Sequence, residues 1–113
     1  MFHLDEMISF FSDDATAFFP VEHNVLRIQD KETVRKVFAK VINRMKSSGM
    51  TRIKLDAEDV YVQMLSDIAI VTFHIRDTSL SRRTLVLQYG NGEWKIKHLH
   101  ASNASLVFKT VEA

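Results

Sequence analysis

Apolar and polar positions change period once along this chain, and the change divides it into a helical front and a stranded back. Leu4, Met7, Ile8 and Phe11 fall at i, i+3, i+4 and i+7, the stripe of a short helix that Ser12-Asp13-Asp14 ends. Ala15 to Pro20 reads as a short extended segment, with Pro20 stopping it or marking a sheet edge. Glu22 to Arg27 reads as irregular chain or a second short strand. Asp30 is a good N-cap for the strongest helix, Lys31 to Ser48, and Gly49 is its left-handed stop. That helix buries Val34, Val37, Phe38, Val41, Ile42 and Met45, and gives Lys36, Lys40, Asn43 and Lys46 to solvent.

From Thr51 the period is two. Strands are predicted at 51–64, 68–76, 82–89 and 93–102, with turns at Ser66-Asp67, Thr78–Ser81 and Asn91-Gly92. The first strand is expected to bend near Asp56–Asp59. The tail from Asn103 to Ala113, with its cluster Leu106-Val107-Phe108, is a candidate extension of the last strand. Two helices followed by an antiparallel meander make an α+β fold in a single domain, 1–113, with the helices on one sheet face. Both sheet faces are nevertheless apolar. Val60, Val62 and Met64 face opposite to Tyr61 and Leu65, and Val71, Phe73 and Ile75 opposite to Ile68 and Ile70. A half-exposed sheet alternates cleanly, so the second face needs a cover, and a second copy of the chain is expected to supply it as a homodimer.

Asn91-Gly92 fixes a register for the closing hairpin, because both central positions of a type I′ turn need positive φ. In that register Tyr89 faces Trp94, Leu87 faces Ile96, Leu85 faces His98 and Arg83 faces His100. One face would then be apolar near the turn and rich in arginine and imidazole beyond it. On this basis Arg83, His98 and His100 are the candidate polar groups of a ligand pocket, with Phe19, Phe73, Leu85 and Trp94 as apolar wall. An arginine beside two imidazoles favours an anion such as a carboxylate. Other readings stay open: the histidines satisfy buried hydroxyls or carbonyls, or Arg82 and Arg83 reach solvent, or one of them pairs with Asp77. Metal binding would need a third ligand beside His98 and His100, and His74 lies on another strand with the 82–89 strand between them. Asp13 and Asp14 read as a turn rather than a catalytic carboxylate pair.

Composition narrows the partners. A net charge of +1 with both signs mixed gives no case for nucleic acid or membrane binding. The absence of cysteine and of a long apolar run near the start fits a cytoplasmic protein. No metal or organic cofactor is expected, since there is no phosphate loop, dinucleotide fingerprint or zinc-ligand spacing.

Several segments resemble a known family. Asp13-Asp14-Ala15 with Phe18-Phe19-Pro20, Gln29 to Phe38, Ser66-Asp67 with Ala69 to Phe73, and Arg82 to Val86 are similar to the SnoaL-like group of the nuclear-transport-factor-two-like superfamily. So is the ending Gly92-Glu-Trp94-Lys-Ile96 with His98-Leu-His100-Ala-Ser102, which also resembles the association domain of calcium/calmodulin-dependent kinases. The resemblance implies a cone, with a curved antiparallel sheet wrapped around helices, a pocket between them and dimers through the outer sheet face. It leaves function between a small-molecule pocket protein, such as a cofactor-independent lyase, isomerase or hydrolase, and a non-catalytic dimerisation or protein-binding module. The chain departs from the family in its first helix, which is shortened: only twelve residues precede the aspartate pair.

Overall fold

The computed structural model describes residues 4–20, 26–47, 49, 57–76 and 80–103. Helix α1 is Leu4–Ser9, strand β1 Phe11–Phe18, β2 Ile28–Gln29, helix α2 Lys31–Ser47, β3 Ala57–Leu65, β4 Ile68–Arg76, β5 Leu80–Gly90 and β6 Glu93–Asn103. The strands form one curved, open sheet in the order β2-β1-β6-β5-β4-β3. Every neighbouring pair is antiparallel except β1 with β6, which run parallel. Among the described residues no helix is long and apolar enough to cross a membrane.

The strongest local signals hold. Asp30 caps α2 by accepting a hydrogen bond from the Thr33 amide at 2.9 Å, and Gly49 follows with φ 93°. Val34, Val37 and Ile42 are buried along the expected stripe, whereas the Met45 side chain lies outside the described residues. At the hairpin, Asn91 and Gly92 have φ of 51° and 81°. The predicted bend in the first long strand is a register shift between Glu58 and Tyr61, with Asp59 at φ 53°. The predicted residues 51–56 of that strand, 22–25 of the preceding segment, 78–79 of the next turn and the tail 104–113 lie outside the described residues.

Two boundaries differ from expectation. The first helix stops at Ser9, and Phe11 opens β1 instead of closing the helix. The reason is that Phe10 gives its carbonyl to the Ile96 amide at 2.7 Å, so β6 satisfies backbone that another helical turn would have used. Asp13 and Asp14 accordingly lie inside β1, in an irregular stretch between Phe11 and Thr16, and form no turn. The other difference is small: Leu80 and Ser81 belong to β5 rather than to the turn before it.

The core sits under one end of the sheet. Ile8 of α1, Val34 and Val37 of α2, Phe11, Ala15 and Ala17 of β1, Ile28 and Leu99 form one buried cluster, with Leu85, Ile96, Phe19 and Phe38 against it. An ion pair between Arg35 and Asp5 joins the two helices at the surface. The helix-facing side is called the inner face below. At the other end β3 is exposed along its whole length.

Candidate functional site

The face that each side chain takes depends on one residue. Around the hairpin tip Tyr89 pairs with Trp94 and Leu87 with Ile96, as expected. Between Leu87 and Val86 the register then shifts, so that Val86 lies opposite His98, Leu85 opposite Leu99, Thr84 opposite His100 and Arg83 opposite Ala101. The extra residue is Lys97, which reaches β1 and donates to both Asp14 oxygens at 2.7 and 2.8 Å. A single-residue bulge reverses the facing of everything beyond it. The expected grouping of Arg83 with His98 and His100 is therefore corrected: Arg83 and Leu85 share the inner face with Leu99 and Ala101, and the two histidines point outward.

On the outer face the histidines meet β1. Thr16 Oγ1 lies 2.7 Å from His98 Nδ1, and the Phe18 ring sits 5.8 Å from the His98 ring and 5.3 Å from that of His100. Burial, then the neighbouring His100 charge, pushes the His98 imidazole below its ordinary range, against the pull of a hydrogen bond to the Thr16 backbone. His98 thus meets a hydroxyl across a strand junction, in surroundings that disfavour its protonated form. His74 lies opposite Arg82 on β4, with β5 between it and the β6 histidines.

The inner face carries Arg83. Its cross-strand neighbours are Phe73 and Ala101, with Leu85 next along its own strand on the same side. Arg83 Nε donates to Ser81 Oγ at 2.9 Å, and Ser81 is itself buried. Among the described residues none of the ion pairs involves Arg83. Burial pushes the guanidinium pKa down, although not far enough for an arginine to lose its charge near neutrality. The result is a half-buried cation among apolar side chains with a serine as hydrogen-bond partner. Ser81 was not singled out from the sequence, although its place two residues before Arg83 on a strand puts both on one face.

The remaining expected wall residues separate into two groups. Phe73 and Leu85 flank Arg83, and Phe19 packs edge-on against Phe38 of α2 with ring centres 5.1 Å apart. Trp94 packs against Tyr89 at the hairpin tip with the two rings tilted by 59°, about 20 Å along the strand from Arg83 at ~3.4 Å per residue. The structure does not bring Trp94 to the arginine. Two hollows of about 510 and 540 Å³ lie elsewhere, one beside the hairpin tip and one under the helices. Their cations are compensated: Lys31 by Asp13, Lys95 by Glu93, Lys97 by Asp14 and Arg35 by Asp5. Among the described residues the inner face carries no histidine, aspartate or glutamate beside Arg83. A guanidinium set against an apolar wall can hold an anion by charge and by paired hydrogen bonds.

Comparison with known proteins agrees with this architecture. The family model for the SnoaL-like domain matches residues 3–106. A nuclear-transport-factor-two-like protein of unknown function from Pseudomonas putida KT2440 is similar over 97% of this chain and 78% of that one, at 18% identity and a TM-score of 0.74. A candidate ketosteroid isomerase from Parabacteroides distasonis is similar over 91% and 76%, at 19% identity and a TM-score of 0.70. The CaMKII hub of S. rosetta is similar over 88% and 81%, at 20% identity and a TM-score of 0.64. At these identities the likeness speaks for the fold alone. No curated protein sequence matches the chain.

Proposed function

The chain belongs to the SnoaL-like domain family, and from that premise we propose that it binds a small amphipathic anion on the inner sheet face, with the anionic group on Arg83. One observation carries the reading: a half-buried guanidinium whose partner is a neutral serine. A buried charge is normally paired, and a carboxylate would complete this one with a bidentate hydrogen bond while Phe73 and Leu85 cover its apolar body. We assign it no reaction, because acid–base catalysis needs a positioned proton donor or acceptor, and the described inner face offers none beside Arg83. Names among the structural neighbours, one of them a candidate ketosteroid isomerase, support a ligand site in this fold.

The test is a thermal-shift screen of aliphatic and aromatic monocarboxylates, each beside its neutral primary amide. A ligand at a hundred times its Kd stabilises the fold by about 2.7 kcal/mol, so a carboxylate that binds raises the melting temperature visibly and its amide does not. Equal shifts from acid and amide would remove Arg83 from the site.

A second reading rests on a different observation. The outer face carries Leu65, Ile68, Ile70 and Val86 in adjoining rows across three strands. We propose that this face seats a second copy as a homodimer, the role a self-associating module would need. The CaMKII hub among the neighbours supports that possibility at the level of fold.

A further inference from the structure

Strand β3 ends the sheet, and among the described residues no other strand adjoins its outer side. Val60, Tyr61, Val62, Met64 and Leu65 stand 55%, 61%, 50%, 60% and 72% exposed, apolar on both sides of one strand. Natural sheet edges are blunted by lysine, proline, a bulge or very short length, because an open ladder recruits another strand. β3 is nine residues long and holds neither lysine, arginine nor proline. Its bulge, at Asp59, lies towards one end, and from Tyr61 to Leu65 the strand is regularly paired with β4.

We propose that β3 pairs edge to edge, antiparallel, with β3 of a second copy about a two-fold axis at Val62. The sequence of the strand selects this occupant and this register. Its apolar set on the inner side, Val60, Val62 and Met64, is symmetric about Val62, so an antiparallel copy sets Val60 against Met64 and Val62 against Val62. Glu58 and Asp59 of the two copies then lie at opposite ends of the seam. A parallel copy would stack those acids on each other, which is destabilising. An axis at Gln63 would set Asp59 against Asp67, and one at Tyr61 would set Asp59 against Gln63, moving the bulge towards the centre of the seam, whereas the axis at Val62 leaves it at the end against Leu65. Two-fold pairing of identical strands also closes, so the contact does not grow into a fibre.

The chain has no cysteine, so a single introduced thiol reports the seam cleanly. Directly opposed residues in an antiparallel pair bring their Cβ atoms to about 4.5–5.5 Å, close to disulfide reach. Purified Val62→Cys protein, oxidised by air with copper phenanthroline at micromolar concentration, is expected to give a covalent dimer several-fold faster than Val60→Cys or Glu93→Cys. Reductant should reverse it. The contact of outer faces proposed above would not bring Val62 to its copy, because Val62 faces inward. Substituting Val60→Lys and Val62→Lys together, at exposed positions that leave the circular dichroism unchanged, should halve the mass seen by light scattering. Crosslinking of Val62→Cys no faster than of Glu93→Cys, or a mass unchanged by the two lysines, would overturn the pairing.

Discussion

Arg83 sits where a guanidinium is costly to hold, beside Phe73 and Leu85 with Ser81 as its hydrogen-bond partner. Replacing an incompletely paired, partly buried charge by an apolar side chain of similar length is commonly neutral or stabilising. Arg83→Met should therefore melt at or above the wild-type temperature while losing every carboxylate-dependent shift. A destabilisation as large as that of a core truncation would show the guanidinium to be structural instead. His98 makes the opposite case, a titratable group whose place is structural. Its folded pKa lies below the ordinary value, so the unfolded chain binds the proton more readily. That stability is present above the unfolded value of about 6.5 and is lost as pH falls through the lower folded value. The carboxylates held low by hydrogen bonds, Asp14 by Lys97 and then Ser12, and Asp30 by Thr33, act in a more acid window. Melting temperature should fall as pH drops below about 6.5, and His98→Gln should flatten that fall. An unchanged slope in the variant would remove His98 from the account.

At the scale of elements, the sheet has a covered end and a bare one, and truncations should tell them apart. Leu99 is 5% exposed in the cluster with α2, so Leu99→Ala should cost about 2–5 kcal/mol by denaturant unfolding. Met64 is 60% exposed on β3, and Met64→Ala in the isolated protomer should stay within about 0.5 kcal/mol. Equal costs would mean that β3 is covered within the chain. The sequence made most of these elements legible because their signals are local. Asp30 and Gly49 bracket α2, Asn91-Gly92 turns the hairpin, and a run rich in β-branched and aromatic residues marks β4 over Ile68–Arg76. The start of β1 was not legible, since Phe11 continues a helical stripe and only pairing with β6 takes it away. The bulge was legible in the apolar spacing itself: Trp94 and Ile96 are two apart, then Leu99 and Ala101 resume after a step of three. A strict period of two carried through that step is what put His98 and His100 on the wrong face.

At the scale of the whole molecule, α1 and α2 do not reach two apolar surfaces among the described residues, the β3 edge and the outer face around Ile68, Ile70 and Val86. The geometry of the two proposed contacts makes them compatible. An antiparallel seam between two β3 strands has its two-fold axis normal to the sheet, so both outer faces of the joined pair look the same way. A sandwich of outer faces has its axis in the plane of the sheet. Two perpendicular two-fold axes that meet generate a closed assembly of four. The expected mass in solution at micromolar concentration is therefore four times the 13.0 kDa of the chain. The two contacts should also separate under substitution. Val60→Lys with Val62→Lys should leave a dimer held by outer faces, Ile70→Lys a dimer held by the β3 seam, and the three together a folded monomer. Carboxylate binding should survive in the Ile70→Lys dimer, because Arg83 faces the other side of the sheet. A monomeric wild-type protein would sink both interfaces, and a dimer that Ile70→Lys dissociates fully would leave the outer face as the only contact.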